Sequence, residues 1–194
     1  TFYKFNGDII TKIEYKYNKY DDKYIVYNEN FPILEITYKK GVKDGNYNEY
    51  FETGMLKESA VYKRGKIENI KKEYYESGTL RSEINYNDGV VDGLGRYYYE
   101  DGKLLAEGLF SNGIRIGSWK TYNENSKISF IENYSNNQED IERIEYSLNE
   151  ILEAKKYFDE KGNKVIEAEF RDGERLAFRL LDLSGRVLEE VVYN

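Results

Sequence analysis

The residues of this chain best suited to chemistry or binding are tyrosines that recur every 24 residues, namely Tyr50, Tyr74, Tyr98 and Tyr122. A phenol offers a large apolar ring and a hydroxyl that both donates and accepts hydrogen bonds. The spacing predicts a ladder of rings, and two interpretations are open. The ladder is either an aromatic groove for an extended peptide, a glycan or a polar headgroup, or it is packing between strands. We favour packing, because the recurrence follows the repeat itself.

A second aromatic position directly follows the first, at Phe51, Tyr75 and Tyr99. Since successive strand residues point to opposite faces, we expect these side chains on the other face and predict that they form a contact surface. Trp119 is the sole tryptophan. It is interpreted either as a structural aromatic or as an anchor for a partner.

Catalytic and metal chemistry have little support in the composition. The chain has no His and no Cys, which excludes Ser-His-Asp and Cys-His constellations and thiolate metal sites. Carboxylates are plentiful near the tyrosines (Glu49, Glu52, Glu73, Glu76, Glu100 and Asp101), but alternating Lys and Glu are typical of a solvated strand face. The acidic run 138–142 lacks the alternating loop of a calcium site. We predict no enzyme activity, no cofactor and no metal.

These residues belong to a 24-residue pattern that occurs four times in succession without insertion, at 39–62, 63–86, 87–110 and 111–134. The third position of each copy is glycine (Gly41, Gly65, Gly89 and Gly113), and the last is aromatic (Tyr62, Tyr86, Phe110 and Tyr134). A fixed period of this size predicts a repeat architecture, in which each unit is completed by its neighbours.

Each copy predicts two strands and two tight turns. In 54–62, Leu56, Glu58, Ala60 and Tyr62 alternate with more polar residues at a period of two, which indicates a half-buried strand. Glycines mark a turn between the two strands and a second turn between copies. Loops this short join antiparallel neighbours, so the product is a meander.

The flanks carry weaker copies: a half repeat at 3–15, a degenerate copy at 16–38, a further copy at 135–158, a half unit at 159–170 and a capping unit at 171–193. We therefore predict one continuous array over 1–194. The stretch 135–158 has lost its turn glycines and also carries a helical apolar stripe, so strand and helix both stay open there, with strand favoured by the surviving period.

The composition limits the classes of partner that the chain is expected to bind. The net charge of −7 argues against nucleic acid and against anionic membranes as main partners. Tyrosine far outnumbers tryptophan, 21 to one, which favours a thin core: an all-β, elongated, single-layer antiparallel meander of hairpins of about 24 residues. Such a sheet has edges, so an edge-to-edge homodimer is possible.

The pattern G-x₃-G-x-W/Y-x₂-Y-x₃-G-K-L-x₅-Y resembles the MORN repeat, and more closely its bacterial 24-residue variant, found in exported and antitoxin-like proteins. The resemblance is clearest in 87–110 and 111–134. It implies antiparallel meanders, scaffolding and protein contact, with membrane-lipid contact in some eukaryotic members and no catalytic residues. The chain departs from the pattern at Asn69, at Gly95 and through 135–158, where regular geometry is not expected.

Three functions follow as hypotheses. The first is a non-catalytic scaffold that binds a protein partner through an aromatic face. The second is a carbohydrate or cell-wall binding module, against which the single tryptophan counts. The third is neutralisation of a toxin, in the manner of an antitoxin. The chain begins with Thr1 rather than Met, as expected of a protein that has lost a signal peptide and equally of a shortened chain. We expect an exported or envelope location, with the cytoplasm as the alternative.

Overall fold

The computed structural model describes residues 2–3, 9–16, 19–28, 31–134, 141–146, 152–159, 161–171 and 174–193. These residues contain seventeen strands and no helix. The strands are β1 (Phe2–Tyr3), β2 (Ile9–Lys16), β3 (Lys19–Asn28), β4 (Phe31–Lys39), β5 (Val42–Tyr50), β6 (Leu56–Lys63), β7 (Lys66–Tyr74), β8 (Leu80–Asn87), β9 (Val90–Tyr98), β10 (Leu104–Ser111), β11 (Ile114–Tyr122), β12 (Ile128–Tyr134), β13 (Ile141–Tyr146), β14 (Leu152–Phe158), β15 (Lys164–Arg171), β16 (Glu174–Leu181) and β17 (Val187–Val192).

The chain divides into two compact units, Thr1–Gly102 and Lys103–Asn194. In the first unit, strands β1 to β9 each pair antiparallel with the next strand in the chain. In the second, β10 to β17 do the same. The predicted all-β antiparallel meander is confirmed. The division falls inside the 87–110 copy, so the structural units and the 24-residue repeats have different boundaries.

Successive copies are joined by two-residue turns. In the first of them, Lys39 pairs with Val42 across Lys40 and Gly41, whose φ angles are 54° and 82°. Positive φ at both central residues defines a type I′ turn, whose twist matches that of the flanking strands. The same geometry recurs one repeat apart at Arg64–Gly65, Asp88–Gly89 and Asn112–Gly113. The turns predicted between the four copies are therefore confirmed.

The turn within each copy has a different, five-residue form. The backbone N–H of Phe51 donates to the carbonyl of Met55 at 2.8 Å, and the N–H of Gly54 donates to the carbonyl of Phe51 at 2.9 Å. Matching pairs of hydrogen bonds close the turns at 75–79, 123–127, 159–163 and 182–186. Ser126 adopts φ 61° in the position that Gly54 holds at 83°, so the turn survives the loss of its glycine.

The seventh position of each copy has a positive φ, and at Gly45 it also brings two strands close together. A Cβ built on Gly45 would lie 2.9 Å from the Cβ of Thr37 on β4, and the φ of Gly45 is 124°. Asn69 stands at this position in the next copy with φ 63°, a left-handed conformation that asparagine tolerates. Asn69 therefore keeps the positive φ of this position without a glycine.

The ambiguous stretch 135–158 is extended where the structure describes it. It contributes β13 and β14, which pair from Ile141 with Phe158 to Tyr146 with Leu152. The helix alternative is therefore wrong for these residues, while 135–140 and 147–151 lie outside the described part of the chain. The closing unit supplies β16 and β17, and all six residues of β17 are exposed. The apolar side chains of β17 are therefore exposed to solvent.

Polar pairs replace an apolar core along one face of the second unit. Six charged residues lie directly opposite one another from β12 to β17: Glu132, Arg143, Lys156, Glu167, Arg179 and Glu190. The like-charged neighbours Arg143 and Lys156 share Glu145, at 3.5 Å and 2.7 Å. Isolated surface ion pairs contribute about 1 kcal/mol at most, so this row works as a network rather than through any single pair.

Trp119 forms the most buried contact of the second unit. Its side chain is 2% exposed, its indole N–H donates to the carbonyl of Leu109 at 3.0 Å, and Phe110 packs edge-on at 4.9 Å between ring centres. A Cβ added to Gly108 would lie 2.3 Å from the indole ring. Gly108 is therefore glycine because the ring occupies the space above it.

We predict that Gly108→Ala destabilises the protein by about 2–3 kcal/mol, because the new methyl overlaps the indole ring and forces repacking. In a Trp119→Ala background the same substitution should cost much less, which a double-mutant cycle followed by urea unfolding would measure.

Gly185→Ala is the matched control. Gly185 has φ 82° with nothing within 4 Å of an added Cβ, so its cost of about 1–2 kcal/mol is conformational and independent of Trp119. An equal cost of Gly108→Ala in both backgrounds would contradict the packing argument.

Candidate binding surface

The twelfth-position tyrosines connect neighbouring copies through their hydroxyls. Tyr50 donates to Glu35 at 3.0 Å, Tyr98 to Glu83 at 2.9 Å and Tyr122 to Glu107 at 3.2 Å, each time reaching fifteen residues back along the chain. These rings are partly buried, and their polar ends are occupied within the sheet. Their geometry supports the packing interpretation.

Tyr74 is the exception in this row. The residue fifteen positions before it is Ser59, where the other copies have glutamate, and among the described residues its hydroxyl has no hydrogen-bond partner. The ring is nevertheless half-buried like the others. The chain therefore contains its own comparison between a tyrosine with the interstrand hydrogen bond and one without it.

Burial and carboxylates raise the pKa of several of these phenols. Burial is the main cause for Tyr50 and Tyr122, and the negative charges of Glu35 and Glu107 raise the pKa further. For Tyr157 the main cause is its hydrogen bond to Glu142. The folded protein therefore holds these protons more tightly than an unfolded chain.

The structure does not support a binding role for Trp119. Only 2% of its surface is exposed, and the guanidinium of Arg115 covers the ring at 4.3 Å from its centre. A buried ring has no face left for a partner, so of the two interpretations of Trp119 the structural one fits this placement. The signal in the sequence was Gly108, one of two glycines outside the turns and bulges.

The thirteenth-position aromatics open the five-residue turns. Phe51, Tyr75 and Tyr99 stand at the corner between two strands, and we call these three residues the corner row. The hydroxyl of Tyr75 donates to the carbonyl of Tyr98 at 2.7 Å, so this ring lies along the edge toward the next copy. Each corner residue is half-exposed and lies at the end of a strand, along the border of the sheet where the five-residue turns are.

At three turns of the second unit, the same corner position carries Asn or Asp (Asn123, Asp159 and Asp182). The Asn123 Oδ1 atom accepts hydrogen bonds from the backbone N–H groups of Asn125 and Lys127, at 3.0 and 3.1 Å. Asp159 and Asp182 close their turns in the same way. Side-chain hydrogen bonds from Asn163 to Asp159 and from Ser184 to Asp182, followed by these backbone ones, lower the pKa of both carboxyls. Because a short polar side chain stabilises this turn, the turn itself does not require an aromatic corner.

Exposed carboxylates follow the corner row. Glu52, Glu76 and Glu100 come directly after the three aromatics and are all exposed. The structure shows no ion pair for any of them within its described residues. The border of the sheet along the corner row therefore combines aromatic rings with negative charges, one of each per copy.

The sequence did not predict which acids accept hydrogen bonds from the tyrosine hydroxyls. It also did not predict a hollow beside Phe170 in the second unit. It placed carboxylates on a solvated face, which fits Glu49, paired with Lys57, and Glu73, paired with Lys71. The described residues contain no group of three Asp or Glu side chains arranged to hold a metal ion. They also contain no helix of the length and apolarity needed to cross a membrane.

Comparison with protein families identifies the repeat. The family model for the MORN repeat variant matches residues 43–64, 67–88, 91–112 and 115–136. Each match begins in the first strand of a copy and runs through its second strand, so the family unit is the hairpin with the five-residue turn. This part of the chain consists of four tandem MORN repeat variants. No curated protein matches the chain.

We predict that Tyr50→Phe and Tyr122→Phe each cost about 1 kcal/mol of stability, since each removes a hydrogen bond to a carboxylate and leaves the acid half-buried. Tyr74→Phe should cost close to nothing, because its hydroxyl lacks that partner. Equilibrium urea unfolding measures all three variants, and a loss at Tyr74 equal to the other two would refute the assignment.

We further predict an alkaline loss of stability. Since the folded pKa of Tyr50, Tyr122 and Tyr157 lies above the unfolded value of about 10, their contribution is complete below pH ~10 and is lost as the pH rises through the folded pKa. Unfolding measured against pH, with phenolate absorbance recorded in parallel, tests this. The triple Phe variant should lose less stability than the parent between pH ~9 and ~11; an unchanged pH profile would rule out these groups as the cause.

Proposed function

We propose that the chain is a non-catalytic repeat protein that binds another protein along the corner row of its first unit. The observation that carries this proposal is the exchange at the corner position between aromatic residues and Asn or Asp. The turn closes with either kind, so the aromatic rings of Phe51, Tyr75 and Tyr99 are not explained by turn formation. Half-exposed rings in a regular row are a common feature of protein contact surfaces.

The spacing of the row suits an extended partner. Successive corners are two strands apart, or about 9.6 Å at the usual strand separation. A polyproline II segment rises about 9.3 Å in three residues, so every third side chain of such a segment can meet a corner. The exposed carboxylates of Glu52, Glu76 and Glu100 favour Lys or Arg at those positions. The partner is therefore proposed to present an extended basic segment.

The carbohydrate alternative has less support. Sugar binding through aromatic stacking needs an accessible ring face, and the only tryptophan is buried under Arg115. MORN repeats are generally non-catalytic, in line with the absence of histidine and cysteine from the chain. The antitoxin role, the exported location and the edge-to-edge homodimer stay predictions.

We predict that the triple variant Phe51→Asn, Tyr75→Asn, Tyr99→Asn keeps its fold and loses binding. Asparagine at a corner closes the turn as Asn123 does, which offsets the lost Tyr75 hydrogen bond. The probe is a labelled twelve-residue peptide of four Arg-Pro-Leu units, read by fluorescence anisotropy at two salt concentrations. Affinity should fall at least tenfold in the variant, and in the parent it should fall at the higher salt concentration.

The control variant is Val42→Ser, Val90→Ser, which removes exposed apolar side chains beside the turns at the other end of the same strands. It should bind the peptide as the parent does. A scrambled peptide of the same composition controls for charge alone. Photo-crosslinking from position 75, compared with position 42, then extends the test to whole extract of the source organism. Absence of any protein crosslink, together with a positive glycan array, would overturn the proposal in favour of carbohydrate binding.

A further inference from the structure

A hollow of about 300 Å³ opens on one face of the second unit. Its walls are the rings of Tyr157, Phe170 and Phe178, and two cationic side chains, Lys155 and Arg175, line it as well. We propose that this hollow binds a carboxylate attached to an apolar group, such as an aryl or branched alkyl acid. The hollow lies in a different unit from the corner row and is independent of the proposed protein contact.

The hollow arises from one small residue in a row of large ones. Lys155 on β14 lies directly opposite Ala168 on β15, which in turn lies opposite Phe178 on β16. Ala168 is only 5% exposed and supplies a floor, while its two cross-strand neighbours and Phe170, two residues along the same strand, rise around it. A larger residue at position 168 would fill this space.

The positive charge of Arg175 is not used within the described part of the fold. Its guanidinium lies 5.9 Å from the centre of the Phe170 ring and 5.8 Å from that of Tyr193, and none of the described carboxylates comes within 4.0 Å of it. Glu174 precedes it on β16, so by strand alternation that side chain points to the other face. Arg175 is thus available to an anion from solution.

The other charges around the hollow are already balanced. Lys155 lies 3.8 Å from Glu142 on β13, and Glu142 also accepts hydrogen bonds from Asn133 at 3.0 Å and from the Tyr157 hydroxyl at 2.9 Å. Glu142 is therefore held by one cation and two hydrogen bonds, and it lies three strands away from Arg175. Of the described residues that line the hollow, Arg175 is the cation that remains for an incoming anion.

This arrangement selects the class of ligand. A guanidinium pairs with a planar carboxylate through two parallel hydrogen bonds, and stacked or edge-on contacts with aromatic walls suit an apolar ring. The volume is at the lower end of the range for small-ligand sites. A guanidinium without a carboxylate partner among the described residues, set between apolar walls, favours a monoanion with a hydrophobic body over a phosphate or a neutral sugar.

The test uses the whole chain and 3-phenylpropionate as the probe, followed by calorimetry and by amide chemical shifts. We expect saturable binding with shifts at 155, 168 and 175, and at least tenfold weaker binding of the neutral 3-phenylpropionamide. Arg175→Gln should weaken the acid at least tenfold, and Ala168→Leu should abolish binding. Since Arg175 is exposed, its variant is expected to fold, which keeps the test open if Ala168→Leu does not.

Arg186→Gln is the matched control, because Arg186 is an exposed arginine of the same unit that pairs with Asp182 at 3.2 Å and does not line the hollow. It should bind the acid as the parent does. A short peptide ending in phenylalanine, compared with its amidated form, distinguishes the sources: tighter binding than the free acid assigns the site to a peptide terminus, and weaker or equal binding to a small acid. No saturable binding, or binding unchanged by both Arg175→Gln and Ala168→Leu, would overturn the proposal.

Discussion

Hydrogen bonds between a tyrosine hydroxyl and a glutamate of the preceding copy connect neighbouring hairpins in the plane of the sheet. A sheet whose strands pair only with their chain neighbours has little apolar surface to bury, so contacts in its plane must supply the stability. Tyr50 with Glu35, Tyr98 with Glu83 and Tyr122 with Glu107 supply such contacts at a fixed offset. In these three copies the ring packs and the hydroxyl connects one copy to the next, which phenylalanine could not do. Tyr74, whose hydroxyl lacks this partner, keeps only the packing.

In the second unit, charged side chains also supply contacts in the plane of the sheet. From β12 onward, directly opposed acids and bases run along one face where the first unit has residues such as Ile36, Tyr47 and Ala60. Lys71 marks the change within the first unit itself, since it takes the position of Tyr47 one copy later and pairs with Glu58 and Glu73 at 2.9 and 3.1 Å. The repeat therefore fixes the backbone, while the row of side chains along it is free to be apolar or ionic.

Much of the fold could be predicted from the sequence because glycine and the 24-residue period determine local geometry. The type I′ turns, the alternation within Leu56–Tyr62 and the strands after residue 134 all follow from local patterns. The partners across strands could not be predicted, because each bulge shifts the register and so decides which side chains meet. For that reason the sequence did not identify Glu35 as the partner of Tyr50. The burial of Trp119 could be inferred only from the glycine at position 108, which leaves space for the indole ring. The hollow over Ala168 depends on three strands in register, which no single copy encodes.

In the five-residue turn, backbone hydrogen bonds close the hairpin, while the corner side chain is partly exposed to solvent. Backbone hydrogen bonds close it around Phe51 and around Asn123 alike, so the identity of the residue at this site has little influence on folding. Substitutions there can therefore accumulate one copy at a time, without compensating changes elsewhere. The same property makes these sites suitable for randomisation in a display library, where a row of independent positions on a constant framework is the desired starting point.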